Sequence, residues 1–211
     1  MSFCKDCISG ARHEGTAEGT YEVINGIKTY VATPKTDYPK DRTILYLTDV
    51  FGLELPNNPL LCDDFAHNGF KVYAPDLFEG DPVAADALNP GSTFDLYAWI
   101  PKHTPEHTGK RVRKLIEGLK EQGAVASQIY IAKSKAPLLI NSCEFDELFP
   151  LSLGKTADEK FANFAPGYLR NHAEGVHHGF ATRGDLRDPV IQAAKENAFL
   201  RTVEWFIKYM P

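Results

Sequence analysis

A strand–helix–strand unit early in the chain is the feature that most constrains its fold. Residues 43–48 are a nearly unbroken apolar run, which is typical of a strand buried on both faces of a parallel sheet. Residues 70–74 form a second such run, and residues 58–68 between them carry apolar side chains at helical spacing and stop at Gly69. The pattern predicts a right-handed βαβ unit.

The rest of the chain continues this alternation. Residues 21–24 and 27–32 are β-prone runs around Asn25-Gly26, a dipeptide that suits a two-residue hairpin turn. Residues 80–108 are rich in proline and predict a long loop with one helical turn near residues 94–99, and such loops often form functional lids. Further helices are predicted at residues 110–122 and 189–209, and further strands at residues 137–141 and 167–173. The alternation predicts an α/β fold with a mostly parallel sheet flanked by helices.

Composition narrows the class of protein. The chain has 211 residues, 43% hydrophobic and 24% charged, which predicts a single domain over residues 1–211. A net charge of −5 without a basic run predicts neither a nucleic-acid partner nor an anionic membrane partner. No apolar run approaches the ~18 residues of a membrane span, so a cytoplasmic protein with a small-molecule or protein partner is expected. Oligomeric state is left open.

The cysteines and histidines do not predict a metal or cofactor site. Cys4 and Cys7 form a C-x-x-C pair without a second ligand pair, which favours an ordinary structural role. His172, His177 and His178 lack the H-E-x-x-H spacing of a zinc site. Four cysteines are too few for a disulfide scaffold, so reduced thiols are expected: Cys4, Cys7, Cys62 and Cys143.

Three polar residues fall just after predicted strands, where catalytic groups of α/β folds gather. They are Asp49, Asp146 and His178. A histidine oriented by a carboxylate is the acid–base part of a catalytic triad, and the order acid then histidine fits an α/β-hydrolase. The alternative for each aspartate is a turn or helix cap, because its side chain accepts nearby backbone N–H groups. The histidine could equally be solvated in a loop.

The nucleophile of such a triad is absent. An α/β-hydrolase places Ser or Cys in a tight strand-to-helix turn with the pattern G-x-S-x-G. Glycines four residues apart occur twice, and the residues they bracket are Ala17 and His177. Ser127 and Cys143 lack this spacing, and a buried cysteine usually packs rather than reacts.

A dense set of short segments covers most of the chain and together is specific. They are Cys4-x-x-Cys7 to His13-Glu14-Gly15, Leu47-Thr48-Asp49-Val50-Phe51-Gly52, Ala74-Pro75-Asp76-Leu77-Phe78, Ala136-Pro137-Leu138-Leu139-Ile140-Asn141-Ser142-Cys143-Glu144, His178-Gly179-Phe180-Ala181-x-Arg183-Gly184-Asp185, and Ala193-Ala194-Lys195-Glu196 to Val203-Glu204-Trp205-Phe206. This set resembles the dienelactone hydrolase family, in its fungal-type branch. The resemblance implies a compact α/β-hydrolase fold and a Cys-Asp-His triad acting on lactone or ester bonds.

The resemblance also implies roles for individual residues. Asp146 is the triad acid and His178 the triad base. Asp49 occupies the position of an acidic residue that contacts the resting cysteine, and the N–H of Val50 that of an oxyanion-hole donor. Arg183 is the candidate substrate-binding residue, one position later than the family's second arginine. The family's first arginine has no counterpart, so selectivity for a dienelactone carboxylate is not predicted.

The resemblance fails at one junction. The family has a strand, a G-x-C-x-G elbow, a helix and another strand between the positions of Gln122 and Pro137. Only 14 residues, 123–136, fill that interval here, whereas a strand–helix–strand unit needs about 30. We therefore predict that this unit is missing through an internal deletion near residues 123–136. Backbone groups left unpaired by its loss cost about 1–3 kcal/mol each.

Two hypotheses follow. The first is a hydrolase of small ester or lactone substrates with a Cys-Asp-His mechanism, its nucleophile absent in this chain and no cofactor required. The second is a catalytically inactive pseudoenzyme, or a remnant that binds a small molecule or a protein. Composition does not separate them.

Overall fold

The structure, a computed structural model, describes residues 15–40, 43–87, 92–122 and 136–210. The described residues fall into two compact units, 15–122 and 136–210. The Cys4–Cys7 pair, Ser127 and the junction at residues 123–135 lie outside the described residues. The prediction of a single domain therefore stays a prediction, and each unit is described by itself.

The first unit is built on a four-stranded sheet in the order β1-β2-β4-β3. Its strands are β1 (Thr20–Ile24), β2 (Ile27–Ala32), β3 (Thr43–Leu45) and β4 (Lys71–Pro75). β2 pairs antiparallel with β1 and β4, whereas β3 and β4 are parallel. The φ angles of Asn25 and Gly26 are 46° and 75°, as a type I′ turn requires. The predicted hairpin is confirmed.

The predicted strand at residues 43–48 is shorter and less buried than expected. β3 ends at Leu45, although the N–H of Tyr46 still donates to the carbonyl of Tyr73 at 2.9 Å. Leu47 is 51% exposed. Within the described residues β3 pairs with β4 alone, and an apolar run is buried on both faces only where strands and helices cover it on all sides. The expectation of burial on both faces was wrong for this reason.

The two long helices of this unit pack on the sheet. α1 (Asn57–His67) matches the predicted helix and is followed by Gly69 at a φ of 88°. α3 (Pro105–Glu121) begins five residues before the predicted start, because Thr104 caps it by accepting the N–H of His107. Its core side chains share one apolar cluster with the hairpin and β4: Leu115, Leu119, Ile24, Ile27, Val31 and Tyr73.

The proline-rich segment at residues 80–108 contains the predicted helical turn, α2 (Leu96–Trp99). Trp99 is 6% exposed and donates its Nε1–H to the carbonyl of Asp81 at 2.8 Å. Its ring lies 5.1 Å from that of Phe78 and 4.3 Å from that of His103. The described residues around α2 are therefore anchored to the first unit by an aromatic cluster, and the role of residues 80–108 as a lid stays a prediction.

The second unit contains two parallel strands and three helices. These are β5 (Leu138–Phe145), α4 (Leu151–Phe161), β6 (Tyr168–His177), α5 (Phe180–Arg183) and α6 (Pro189–Tyr209). Both strands run four residues beyond their predicted ends, because polar residues interrupt the apolar pattern there: Ser142, Glu144, Glu174 and His177. α6 has the predicted bounds. The apolar core of the second unit contains Cys143, Val176, Phe180 and Ala198.

Two helices of the second unit were not predicted. α4 exposes Leu151 and Leu153, so its apolar residues do not mark a buried stripe. α5 is a single turn after the glycine that follows His178. Strands and helices alternate through both units, which confirms the predicted α/β fold class, although the sheets are small. In the described part of the chain, every helix is too short or too polar to cross a membrane.

Candidate active site

Asp146 lies in the turn that directly follows β5. Its Oδ1 atom accepts the backbone N–H groups of Leu148 at 2.9 Å and Phe149 at 3.0 Å. The side chain is only 10% exposed. These two hydrogen bonds fix the carboxylate and leave Oδ2 for another donor.

His178 directly follows β6 and meets that second oxygen. Its Nδ1 atom lies 2.9 Å from Asp146 Oδ2, and its backbone N–H donates to the carbonyl of Phe145 at 2.9 Å. The side chain is 52% exposed, and Nε2 has no hydrogen-bond partner among the residues that the structure describes. An aspartate on Nδ1 and a free Nε2 are what a histidine general base requires. The structure thus brings the predicted acid and base together, while their catalytic roles stay predictions.

The electrostatics of Asp146 favour its ionised form. Burial opposes ionisation, but the hydrogen bonds from His178, Phe149 and Leu148 outweigh it and hold the pKa of Asp146 below its ordinary value. The carboxylate is therefore charged at neutral pH. A charged carboxylate stabilises the imidazolium that forms when His178 takes a proton.

This lowered pKa predicts an acid-dependent loss of stability. The folded chain binds the Asp146 proton more weakly than the unfolded chain, so the ionised carboxylate stabilises the fold above the ordinary pKa of about 3.9. We expect the stability advantage of wild type over Asp146→Asn to be present at about pH 5 and to disappear as pH falls through the lowered pKa of Asp146. Urea titrations at a series of pH values measure it. An advantage that stays constant into strong acid would contradict the assignment.

Cys143 lies close to this pair but is a poor nucleophile. It is buried, and its Sγ atom is 4.0 Å from Asp146 Oδ2 and 3.9 Å from the carbonyl oxygen of Phe145. Burial and the charge of Asp146 raise the pKa of the thiol. Because the thiolate is the reactive form, Cys143 is better explained as a core residue.

Asp49 and Val50 lie in the first unit, after β3. Asp49 Oδ1 accepts the N–H of Phe51 at 3.2 Å and lies 3.4 Å from Asn58 Nδ2. These contacts match the turn-forming alternative for Asp49. The carbonyl of Val50 accepts the N–H of Val83 at 2.9 Å, while the Val50 N–H has no acceptor among the residues described. Their implied roles toward a cysteine and an oxyanion stay predictions.

Arg183 is the last residue of α5. A Cβ atom built on Gly179 would lie 2.5 Å from its Nη2 atom, so the guanidinium packs over the glycine that follows His178. Gly179 has a φ of 87°, which places the turn after the histidine in the left-handed region. The Arg183 side chain therefore lies beside the loop that carries His178, in the same unit. Its role in substrate binding stays a prediction.

The structure also shows contacts that the sequence reasoning missed. Ser142 and His172 are cross-strand partners, with Oγ 3.2 Å from Nδ1, and Arg170 donates to the same Oγ at 3.2 Å. Ser142 is buried, and neighbouring strand residues face opposite sides, so it faces away from the core that Cys143 shares with α6. Glu144 accepts the N–H of Gly175 at 2.8 Å. Only knowledge of the strand register reveals these pairs.

The fold and the acid–histidine pair define the α/β-hydrolase class. A thermophilic esterase from Thermogutta terrifontis, Est2 with propionate bound, superposes with a TM-score of 0.54 at 13% identity, covering 89% of this chain and 94% of its own. The model of the dienelactone hydrolase family matches residues 27–131 and 118–210. The chain belongs to the dienelactone hydrolase family.

Fungal relatives match along almost their whole length. The hydrolase pyvD of Aspergillus violaceofuscus is 33% identical over 238 positions, covering 97% of this chain and 96% of the relative. Dienlactone hydrolase 2 of Gibberella moniliformis is 32% identical over 222 positions, covering 97% and 94%. Both alignments are longer than the 211 residues of this chain, so each relative has residues without a counterpart here. The family places the chain among hydrolases.

Proposed function

We propose that the chain derives from a hydrolase of small esters or lactones and retains the acid–base half of its machinery. The observation that carries the proposal is the 2.9 Å contact between His178 Nδ1 and Asp146 Oδ2, with the Nε2 side of a half-exposed ring left open. Membership of the dienelactone hydrolase family supports the substrate class. The proposed partner is a small-molecule ester or lactone rather than nucleic acid or a membrane, and the proposed compartment is the cytoplasm.

The proposed mechanism of the complete enzyme is a two-step acyl transfer. His178 Nε2 takes the proton of a cysteine thiol, and the sulfur attacks the ester carbonyl carbon, whose oxygen becomes the oxyanion of a tetrahedral intermediate. The proton then passes from Nε2 to the leaving alkoxide. Water attacks the thioester by the same proton path and releases the acid and the free thiol. Asp146 stabilises the imidazolium in both steps.

In this chain water is the available nucleophile. None of the four cysteines lies between glycines in a G-x-C-x-G elbow. With His178 as base, water loses one proton to Nε2, its oxygen bonds to the carbonyl carbon, and the proton then leaves with the alcohol. This route forms no acyl-enzyme intermediate to divide the barrier, so turnover is slow compared with that of a complete enzyme.

Two findings support the absence of the nucleophile segment. The alignments with fungal relatives are longer than the chain. The family model matches in two pieces that overlap at residues 118–131, a range that includes residues 123–131 of the 14-residue interval between Gln122 and Pro137. Both findings fit a deletion of one strand–helix–strand unit at this junction.

The second candidate function is a pseudoenzyme that binds a ligand without turning it over. The absent elbow favours it, because loss of a triad nucleophile in other hydrolases removes most of the rate enhancement. The geometry of the retained Asp146–His178 contact is the same for both candidates. A measurement of ester turnover distinguishes the hydrolase from the pseudoenzyme.

Hydrolysis of an aryl acetate by wild type and His178→Ala tests the proposal. A general base typically contributes about 10²–10⁴-fold, so we expect His178→Ala to lower the rate above buffer by at least about 10²-fold. The matched control is His67→Ala, because His67 also faces a carboxylate, with Nε2 3.3 Å from Glu18 Oε2, but belongs to α1. Its rate is expected to equal that of wild type. Far-UV circular dichroism establishes that all three chains are folded.

Each other outcome of this experiment has a definite meaning. A folded wild type without turnover would favour the pseudoenzyme. Equal turnover in wild type and His178→Ala would remove the histidine from the mechanism. Loss of turnover in both histidine variants would show that the assay reports stability rather than catalysis.

A further inference from the structure

An irregularity in the strand pairing precedes the catalytic histidine. β5 and β6 pair residue for residue up to Cys143 and Ala173. Pairing resumes two residues later on β5 but four residues later on β6, at Phe145 and His177. Glu144 therefore stands opposite three residues of β6. We call these three residues, 174–176, the bulge.

The bulge changes which face of β6 points into the core. Ala173 and Val176 are three residues apart, yet both pack in the apolar cluster against α6. In a regular strand, residues three apart face opposite sides. Gly175 makes the change with a φ of 74°, and a Cβ atom there would lie 3.3 Å from Val190 Cγ1. The bulge buries Val176, and the His178 side chain that follows it is half exposed.

Two hydrogen bonds to β5 bracket this turn. The N–H of Gly175 donates to Glu144 Oε2 at 2.8 Å. Three residues later, the N–H of His178 donates to the carbonyl of Phe145 at 2.9 Å. A bulge takes its residues out of the regular ladder, so an N–H within it needs an acceptor of another kind. The Glu144 carboxylate is that acceptor, and it reaches across from β5, whose last residue directly precedes Asp146.

We propose that Glu144 is a positioning residue: by accepting the N–H of Gly175, it fixes the bulge that places the His178 ring against Asp146. The inference rests on the proposed function, because it takes His178 as the base. Without this acceptor the Gly175 N–H hydrogen-bonds to water. The bulge residues can then pair with β5 in other registers. The His178 ring then loses the fixed approach that puts Nδ1 2.9 Å from Asp146 Oδ2.

Nuclear magnetic resonance of the His178 ring tests this proposal without turnover. In a neutral histidine, the nitrogen that carries the proton is set by the hydrogen bond it makes, and ¹⁵N–¹H spectra identify that nitrogen directly. His178→Ala assigns the signal. Wild type is expected to carry the proton on Nδ1, facing Asp146. Glu144→Ala is expected to lose at least about half of this form in favour of the Nε2–H form, with the rest of the spectrum unchanged.

Two further variants give the readout its meaning. Glu144→Gln keeps an oxygen acceptor for the Gly175 N–H without the charge, so it is expected to retain the Nδ1–H form. Glu159→Ala removes an exposed glutamate of α4 and is expected to leave the ring unchanged.

The proposal is overturned if Glu144→Ala keeps the wild-type tautomer, or if Glu144→Gln loses it as fully as Glu144→Ala does. A general loss of folded signals in Glu144→Ala would make Glu144 a structural residue and overturn the proposal as well. Because the readout needs no substrate, a chain without turnover whose tautomer still responds to Glu144 would reject the proposed function and leave this inference standing.

Discussion

Restoring the segment between Gln122 and Pro137 is expected to raise aryl acetate hydrolysis by at least about 10³-fold. The insert is the strand, G-x-C-x-G elbow, helix and strand of a family member, about 30 residues in place of residues 123–136. The expectation follows from the retained pair, since His178 and Asp146 already lie 2.9 Å apart and lack only a nucleophile to activate. Loss of a triad nucleophile costs about 10⁶-fold in a serine protease, so a partly repaired site should recover a substantial share.

The control for this experiment is the same insert with its cysteine replaced by alanine. It repairs the sheet without supplying the nucleophile, so it separates catalysis from folding. The insert combined with His178→Ala should be as slow as the alanine insert, because the cysteine and the histidine act as one unit. A cysteine insert that folds but hydrolyses no faster than the alanine insert would show that the retained pair is no longer competent.

Trp99→Ala is expected to lower the free energy of unfolding of the first unit by about 3–5 kcal/mol. Trp99 is 6% exposed, contacts Phe78 and His103, and donates to the carbonyl of Asp81 at 2.8 Å. Truncation leaves a cavity and removes the hydrogen bond that ties α2 to the chain at residue 81. Urea unfolding followed by far-UV circular dichroism measures the change.

Tyr97→Ala is the matched control, because Tyr97 lies on the same short helix but is 86% exposed. Its effect is expected to stay within about 0.5 kcal/mol. Equal effects of the two substitutions would mean that the segment around α2 is not anchored by the aromatic cluster. That result would favour the prediction that residues 80–108 form a lid.

Local chemistry made part of the fold predictable from the sequence. The Asn25-Gly26 turn accepts positive φ at both positions, and the apolar spacing of residues 189–209 marks a helix with the observed bounds. α4 was missed because its leucines face solvent and its close approach to β6 depends on Gly154 packing against Arg170. The early start of α3 was missed because its first turn is polar, and a single cap at Thr104 decides it.

The candidate site divides in the same way. Asp146 and His178 were found because each follows a strand and because their motifs resemble those of a known family, and the structure brings the two side chains within 2.9 Å. Glu144 was not found, because its proposed role depends on the bulge, where β6 has two more residues than β5. No local pattern in the sequence of either strand predicts this bulge. Register is set by packing against α6, so it belongs to the tertiary structure.

Intact-mass spectrometry during reaction with an aryl acetate tests the central claim most directly. That claim is that this chain keeps the acid and base of its family but has no residue that forms an acyl intermediate. The prediction is that rapidly quenched wild type and His178→Ala carry the same low background of acetylation, whereas the chain with the restored cysteine segment gains one acetyl group. A His178-dependent acetyl group on wild type itself, mapped to a serine or cysteine, would contradict the account by revealing a nucleophile.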